Sequence, residues 1–378
     1  MKKVIVAMDA FKGSLSSAEA AEAVEAGLRT VSPDCRVFSL PMADGGEGML
    51  AAWSHAVEGR RMRLTACDPL MREIETDYLI SPDGQTAGIE LAAVSGLTLL
   101  RDEERNPMLT STFGLGQVIH HALRQGARRL VIGIGGSATN DAGLGMLRAL
   151  GYRFFNKRGE EIDTMNGGAL YEVASIDATN RLPELSHASF RVACDVDNPF
   201  CGETGAAYVY ARQKGADEAM IRQLDAGMWS LNRLISQTMG VDLNLLPGAG
   251  AAGGVGGVLA AFLGAELTSG IHLLLDLYRF DEMMVDADLI VTGEGKADRQ
   301  TLHGKVAMGL LNRAKERRLP VALLAGSVDD EALLYRAGFA AIHAITPPDM
   351  PLFQAMNPAT ATENLRRRAA EIGRRFLL

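Results

Sequence analysis

The sequence has few cysteines and none in a ligand spacing. Cys35, Cys67, Cys194 and Cys201 form no Cys-x-x-Cys pair, which argues against a zinc site or a disulfide frame and for a reducing compartment. Basic charge is not in excess. Lys and Arg number 38 against 46 Asp and Glu, and the net charge of −8 argues against a broad nucleic-acid-binding face. The one basic cluster, Arg366-Arg367-Arg368 with Arg374-Arg375, reads as the solvated face of a C-terminal helix. Long apolar runs are missing too. The first ends at Asp9, too short for a signal peptide, and the uncharged stretch from Gly248 to Ala265 is too rich in glycine for a spanning helix. The expectation is a cytoplasmic protein with neither membrane nor nucleic-acid partner. Walker A and protein-kinase catalytic-loop motifs are also absent. The composition that remains, 47% hydrophobic and 22% charged over 378 residues, is globular and long enough for two domains.

The chain is organised around Val131-Ile-Gly-Ile-Gly-Gly-Ser-Ala-Thr-Asn-Asp141. Leu130 to Ile134 reads as a strand, Gly133, Gly135 and Gly136 as a turn in which the backbone takes unusual φ, and Gly143 to Leu150 as a helix. A strand, a glycine turn and a helix start together suit an anion.

Either side of this stretch the pattern differs. Val4 to Met8, a helix opened by the capping pair Ser16 and Glu19, Arg36 to Leu40 and a helix from Met49 alternate as β-α-β-α. From about Asp286 the alternation returns, with strands at Ala287 to Val291, Pro320 to Leu324 and Ala341 to Ile345, and Thr292 to Asp298 as a turn. The middle of the chain shows a hairpin across Pro82-Asp-Gly-Gln85, a short strand ending at Asp195 and an amphipathic helix carrying Ile221, Leu224, Met228, Leu231 and Ile235. The fold class is therefore α/β with two domains. Residues 1–60 and 281–378 form a discontinuous, flavodoxin- or Rossmann-like doubly wound parallel sheet, and residues 61–280 an inserted mixed α/β domain. The ligand belongs at the carboxyl ends of the strands.

Several acids and lysines fall at strand ends. Asp44 and Glu47 are three apart at a helix start; Glu294 and Asp298 follow a strand, with Lys296, Gln300, Thr301 and Lys305 nearby; Asp9, Lys12 and Ser14 repeat the mixture after the first strand. Carboxylates beside lysines suit a phosphate with magnesium, because the cation joins carboxylate to phosphate and lysine balances the remaining charge. Asp195 is placed to accept a proton from a hydroxyl. Gly248-x-Gly-x-x-Gly253 and Gly133-x-Gly-x-x-Ala138 each touch the dinucleotide fingerprint without its full context. This leaves open a NAD-dependent dehydrogenase of a small hydroxy acid, or a non-catalytic small-anion sensor, beside a phosphotransferase.

Taken as a set, the turns resemble the type I glycerate kinase family. The stretches are Asp9-Ala-Phe-Lys-Gly-Ser-Leu15, Pro41-Met-Ala-Asp-Gly-Gly-Glu-Gly48, Ile132-Gly-Ile-Gly-Gly-Ser-Ala-Thr-Asn-Asp141, Ala193-Cys-Asp-Val-Asp-Asn-Pro199, Pro247-Gly-Ala-Gly-Ala-Ala-Gly-Gly254 and Thr292-Gly-Glu-Gly-Lys-Ala-Asp-Arg-Gln-Thr-Leu-His-Gly-Lys305. They occur in the family's order and span nearly the whole chain. The pattern has serine where Ala10 stands, threonine where Met49 stands and glycine where Ala142 stands, and Thr110 to Gly116 resembles one of its Gly-x-Gly turns. The resemblance implies phosphorylation of D-glycerate by ATP with magnesium, at the 2-hydroxyl. The expected roles are ATP on Gly135, Gly136, Ser137, Thr139 and Asn140; magnesium among Asp44, Glu47, Glu294 and Asp298; Asp195 as base; Lys12 and Lys305 as charge partners; and Ser14, Gln300 and Thr301 on the substrate. The oligomeric state is not legible.

Overall fold

The structure, a computed structural model, describes residues 1–42, 52–54, 59–302 and 306–378. Among them the strands are, in chain order, β1 (Lys3–Met8), β2 (Arg36–Ser39), β3 (Arg60–Cys67), β4 (Glu73–Ile80), β5 (Thr86–Glu90), β6 (Arg129–Gly133), β7 (Arg153–Phe155), β8 (Ser175–Asp177), β9 (Ser189–Ala193), β10 (Glu266–Thr268), β11 (Leu289–Ala297), β12 (Val321–Val328) and β13 (Ala341–Ala344). The α/β class read from the sequence holds. The chain divides into two compact units, one of Met1–Asp44, Ala51–Ala56 and Ile271–Leu378, the other of Gly45–Leu50 and Val57–Gly270.

The first unit carries a five-stranded sheet in the order β13-β12-β11-β1-β2, every pair parallel. Counted within the unit this is the order 2-1-3-4-5 of flavodoxin-like sheets, whose switch point lies between β1 and β11. Each central strand is buried on both faces, so it reads as an unbroken apolar run. In β1, Ile5 and Ala7 join one core layer with Leu310 and Leu323, whereas Val4, Val6 and Met8 join the other with Val24, Leu28 and Leu365. The helix Ser17–Val31 begins with the expected capping box: Glu19 N–H donates to Ser16 Oγ at 3.3 Å and Ser16 N–H to Glu19 Oε2 at 2.8 Å. It packs on the helix Pro358–Phe376, and Gly27 permits this, since a Cβ there would lie 2.2 Å from the Arg366 carbonyl oxygen. The basic C-terminal cluster is only partly solvated. Arg368 Nε donates to the Ala344 carbonyl at 3.1 Å and its guanidinium pairs with Glu371 at 2.6 Å.

One expectation here is corrected. Thr292 to Ala297 is not a turn; β11 continues to Ala297, because β12 runs alongside with Glu294 opposite Ala325 and Lys296 opposite Ser327. β1 stops at Met8 opposite Gly293, so the last four residues of β11 extend past it.

The second unit holds a six-stranded sheet, β10-β9-β6-β5-β4-β3. The first four strands are parallel, and β3 and β4 are added antiparallel. The hairpin across Pro82 to Gln85 is present as β4 and β5; β3 lacked a clear sequence signal because its outward residues, Arg61, Arg63 and Thr65, dilute its apolar content. The amphipathic helix runs Glu218–Met239 and buries Ile221, Leu224, Met228, Leu231 and Ile235. Thr110 to Gly116 is corrected from a turn to the start of the helix Phe113–Arg124. Its glycines serve close approach: a Cβ on Gly114 would lie 1.9 Å from the Cys67 carbonyl oxygen, and one on Gly116 2.3 Å from that of Met146.

Candidate active site

In the second unit β6 and β9 run side by side, Gly133 opposite Ala193, and end together. A cavity of about 190 Å³ opens beyond their carboxyl ends. Gly135, Gly136 and Ser137 from the turn after β6 form one wall, Cys194, Asp195 and Val196 after β9 another, and Tyr210, Lys214, Ala251 and Ala252 close it. Gly136 takes φ +70°, the left-handed conformation for which glycine was read at this turn.

Behind the turn lies a buried polar cluster. Asp141 is fully buried and accepts four hydrogen bonds, from Thr112 N at 2.7 Å, Thr112 Oγ1 at 2.7 Å, Gly143 N at 3.0 Å and Gly145 N at 3.2 Å. Burial pushes its carboxyl above the usual range, and the bonds from Thr112 and the two glycine amides work against that shift. The anion at the start of the helix Leu144–Ala149 is therefore Asp141 itself, so the expectation that this helix start receives a ligand is corrected. Lys214 Nζ donates to Ser137 Oγ at 2.7 Å and to the Thr139 carbonyl at 2.7 Å, tying the turn to the short 3₁₀ helix Arg212–Lys214.

Of the residues expected at the nucleotide, Gly135, Gly136 and Ser137 line the cavity, whereas Thr139 and Asn140 are fully buried behind it. Gly253 lies against their backbone, where a Cβ would stand 2.2 Å from the Thr139 carbonyl oxygen, and Asn140 Nδ2 reaches Met228 Sδ at 3.3 Å. Asp195 is in the cavity wall, its Oδ1 accepting the Gly270 N–H at 2.9 Å. Its carboxylate is thus held in place while the residue stays exposed.

The first unit has its own strand-end cavity, of about 200 Å³, lined by Lys12, Ser14, Gly295, Ser327 and Thr346 on the polar side and Met350, Leu352 and Met356 on the apolar side. Lys12 and Ser14 meet here as neighbours; Ser14 Oγ is buried without a hydrogen-bond partner among the described residues. Gln300 and Thr301 are elsewhere. Thr301 is buried, with Oγ1 accepting the Asp298 N–H at 3.0 Å, and the Gln300 N–H donates to Asp298 Oδ1 at 2.8 Å, so both belong to the turn into a 3₁₀ helix. Glu294 is nearly buried near the end of β11, and Lys296 Nζ lies 2.9 Å from Asp329 and 3.8 Å from Asp298. Asp44, Glu47 and Lys305 lie outside the described residues. Among the described residues no three His, Cys, Asp or Glu side chains gather at one point. As donors, the carboxylates of Glu294 and Asp298 are hard oxygens of the kind magnesium takes.

Sequence reasoning missed Lys214. It stands in Arg212-Gln213-Lys214-Gly215, which matches no motif, and only the chain path brings it under Ser137. The dinucleotide reading fails on context: Gly248 to Gly253 follows a 3₁₀ turn, Leu243–Leu245, and its glycines serve packing, a Cβ on Gly250 falling 2.2 Å from the Pro199 carbonyl oxygen. The four cysteines are free, and burial holds each thiol above its ordinary range. No helix among the described residues is long and apolar enough to cross a membrane.

Parallel strands ending in a glycine turn, with a carboxylate and a lysine in one cavity, make an α/β site for a small anionic ligand. A family model described as the glycerate kinase family matches residues 4–377. The glycerate 2-kinase of Escherichia coli strain K12 is 43% identical over 344 residues, 91% of this chain and 90% of that one. The glycerate kinase of Bacillus subtilis strain 168 is 43% identical over 371 residues, 98% and 96% of the two chains. A crystal structure described as glycerate kinase 2 from Salmonella typhimurium LT2 matches with a TM-score of 0.87 at 40% identity, covering 99% and 98%. The class is a small-molecule kinase, which removes the dehydrogenase and sensor readings. The chain belongs to the glycerate kinase family, and the reaction is phosphorylation of glycerate.

Proposed function

We propose that the protein transfers the γ-phosphoryl group of ATP to the 2-hydroxyl of D-glycerate, giving 2-phosphoglycerate. The observation that carries the choice of hydroxyl is the 43% identity to a relative named glycerate 2-kinase over 91% of the chain. The nucleotide phosphates lie on the Gly135-Gly136-Ser137 turn, whose backbone approach to an anion is unhindered by side chains at two of three positions. Thr139 and Asn140 act from behind the turn, holding its path. Asp195 accepts the proton of the attacking hydroxyl: it is exposed in the cavity wall and oriented by the Gly270 amide. Lys12 and Lys305 offset charge on the transferred group, Ser14 contacts the acceptor, and Gln300 and Thr301 hold the turn that follows β11. Magnesium, held by carboxylates among Asp44, Glu47, Glu294 and Asp298, supplies charge neutralisation at the phosphates. The protein works in the cytoplasm, without membrane or nucleic acid.

The reading is tested by ADP release from the purified protein with ATP and magnesium, against D-glycerate, L-glycerate, glycolate, lactate and glycerol, with the product identified by phosphorus NMR. Turnover with D-glycerate and the 2-phospho product is expected. A 3-phospho product overturns the choice of hydroxyl, and undiminished turnover after magnesium chelation overturns the metal.

A further inference from the structure

Lys214 belongs to none of the glycine-rich motifs, yet it lies in the cavity with 2% of its surface exposed. A buried ammonium is costly unless an opposite charge compensates it. Here the two acceptors that hold it, Ser137 Oγ and the Thr139 carbonyl, are both neutral. The charge that acts on it is Asp141, but that carboxylate is committed to four other donors. An ammonium has three N–H donors, and two are used on the turn. One donor, and a positive charge that Asp141 compensates only in part, are left at the wall of a cavity to which the turn brings Gly135, Gly136 and Ser137.

An anion arriving in this cavity gains from that charge and stabilises it in return. Resting on the reading that the nucleotide phosphates sit at the Gly135–Ser137 turn, we propose that Lys214 binds a phosphoryl oxygen with its remaining N–H, and that nucleotide binding takes up a proton from solvent at this amine. Burial pulls the Lys214 ammonium down to about 7. A bound phosphoryl group favours the ammonium, and Lys-NH₂ plus a solvent proton becomes Lys-NH₃⁺. The ionisable groups around it are Asp141 behind the turn, Asp195, Cys194 and Tyr210 on the other cavity walls, and Arg105, whose carbonyl lies against Gly215. Burial holds Cys194 and Tyr210 above their ordinary ranges, which keeps both uncharged between about pH 6 and 8.5.

The test is calorimetric titration of the full-length protein with ADP, comparing wild type, Lys214→Met, Lys214→Arg and Gly135→Val, with circular dichroism to confirm the fold. Lys214→Met is expected to weaken ADP by roughly 10–100-fold, the loss of one charge-assisted hydrogen bond. Lys214→Arg keeps a permanent charge and stays within about tenfold of wild type. Between about pH 6.5 and 8.5 wild-type affinity falls more steeply than that of Lys214→Arg; ADP's own titration is common to both and cancels. Titrations in two buffers of different ionisation heat should show proton uptake that the arginine variant lacks.

Wild-type ADP affinity in Lys214→Met, together with weakened binding in Gly135→Val, overturns the role of Lys214 and leaves the phosphates at the turn. Wild-type affinity in both variants removes the phosphates from the turn and the proposal with them. Weak binding in Lys214→Met, with equal pH slopes and proton counts in wild type and Lys214→Arg, means the lysine only shapes the turn, which also overturns it. Should the methionine variant not fold, the slope and proton count of the arginine variant decide alone.

Discussion

Both units bring charged residues to the carboxyl ends of parallel strands, and they treat those charges differently. Beyond β6 and β9 the polar groups are locked: Asp141 is buried with four donors, and Lys214 is buried with two acceptors. At the end of β11, Glu294 and Thr301 are buried, but Lys296 with Asp329 and Arg299 with Asp330 are surface pairs, open to water and salt. The first arrangement presets a cavity wall before any ligand arrives; the second leaves side chains free to reorient around one. Buried charge thus marks where geometry is fixed, and exposed charge where it is adjustable.

The contrast is broken most sharply at Asp195, the exposed acid of the locked cavity. Asp195→Asn should lower kcat by roughly 10²–10⁴-fold with ADP affinity little changed, measured by steady-state ADP release and calorimetry; near-normal turnover removes it as the base. Next comes the cluster behind it. Asp141→Ala leaves Thr112 and the two helix-start amides without their acceptor and should cost about 3–5 kcal/mol in urea unfolding. A loss below about 1 kcal/mol would mean that the cluster does not hold the turn.

Lys214 gives the contrast a pH signature. Its folded-state value, about 7, lies below its ordinary 10.5, so between those values the unfolded chain binds more protons than the folded one. The penalty for burying this ammonium is therefore full below about pH 7 and is relieved as pH rises toward 10.5, making its contribution to unfolding free energy rise with pH. Urea unfolding of wild type and Lys214→Met at several pH values should show that slope in the wild type only. At Ala142, φ is +53°, a left-handed position that favours glycine. Ala142→Gly should stabilise by up to about 1 kcal/mol, read from the same unfolding curves. Smallest of all, Lys296→Ala, which removes an exposed pair, should leave the urea midpoint indistinguishable from wild type, whereas a clear shift would place the β11 site among the locked ones.

Local patterns in the sequence were sufficient for the α/β class, for β1, for the capping box at Ser16 and Glu19 and for the apolar stripe from Ile221 to Ile235. Each depends on neighbours within a few residues or on a strand buried on both faces, and such periodicity survives in one dimension. The glycines at 135 and 136 and the acid at 195 were also legible as strand-end features. The turn assigned to Thr292–Ala297 was not, because its strand conformation is imposed by pairing with β12, some 30 residues away. Nor was the burial of Thr139 and Asn140, which depends on Gly253 lying against them, or the place of Lys214, which comes to Ser137 across 77 positions of chain. By itself the sequence determined the locally patterned segments, such as β1, the capped helix Ser17–Val31, the Ile221–Ile235 stripe and the glycine turn at 135 and 136, since those follow from local sterics and hydrophobic period. Only the tertiary structure decided which polar groups are buried and what each one faces, because burial and hydrogen-bond partners depend on contacts between segments far apart along the chain.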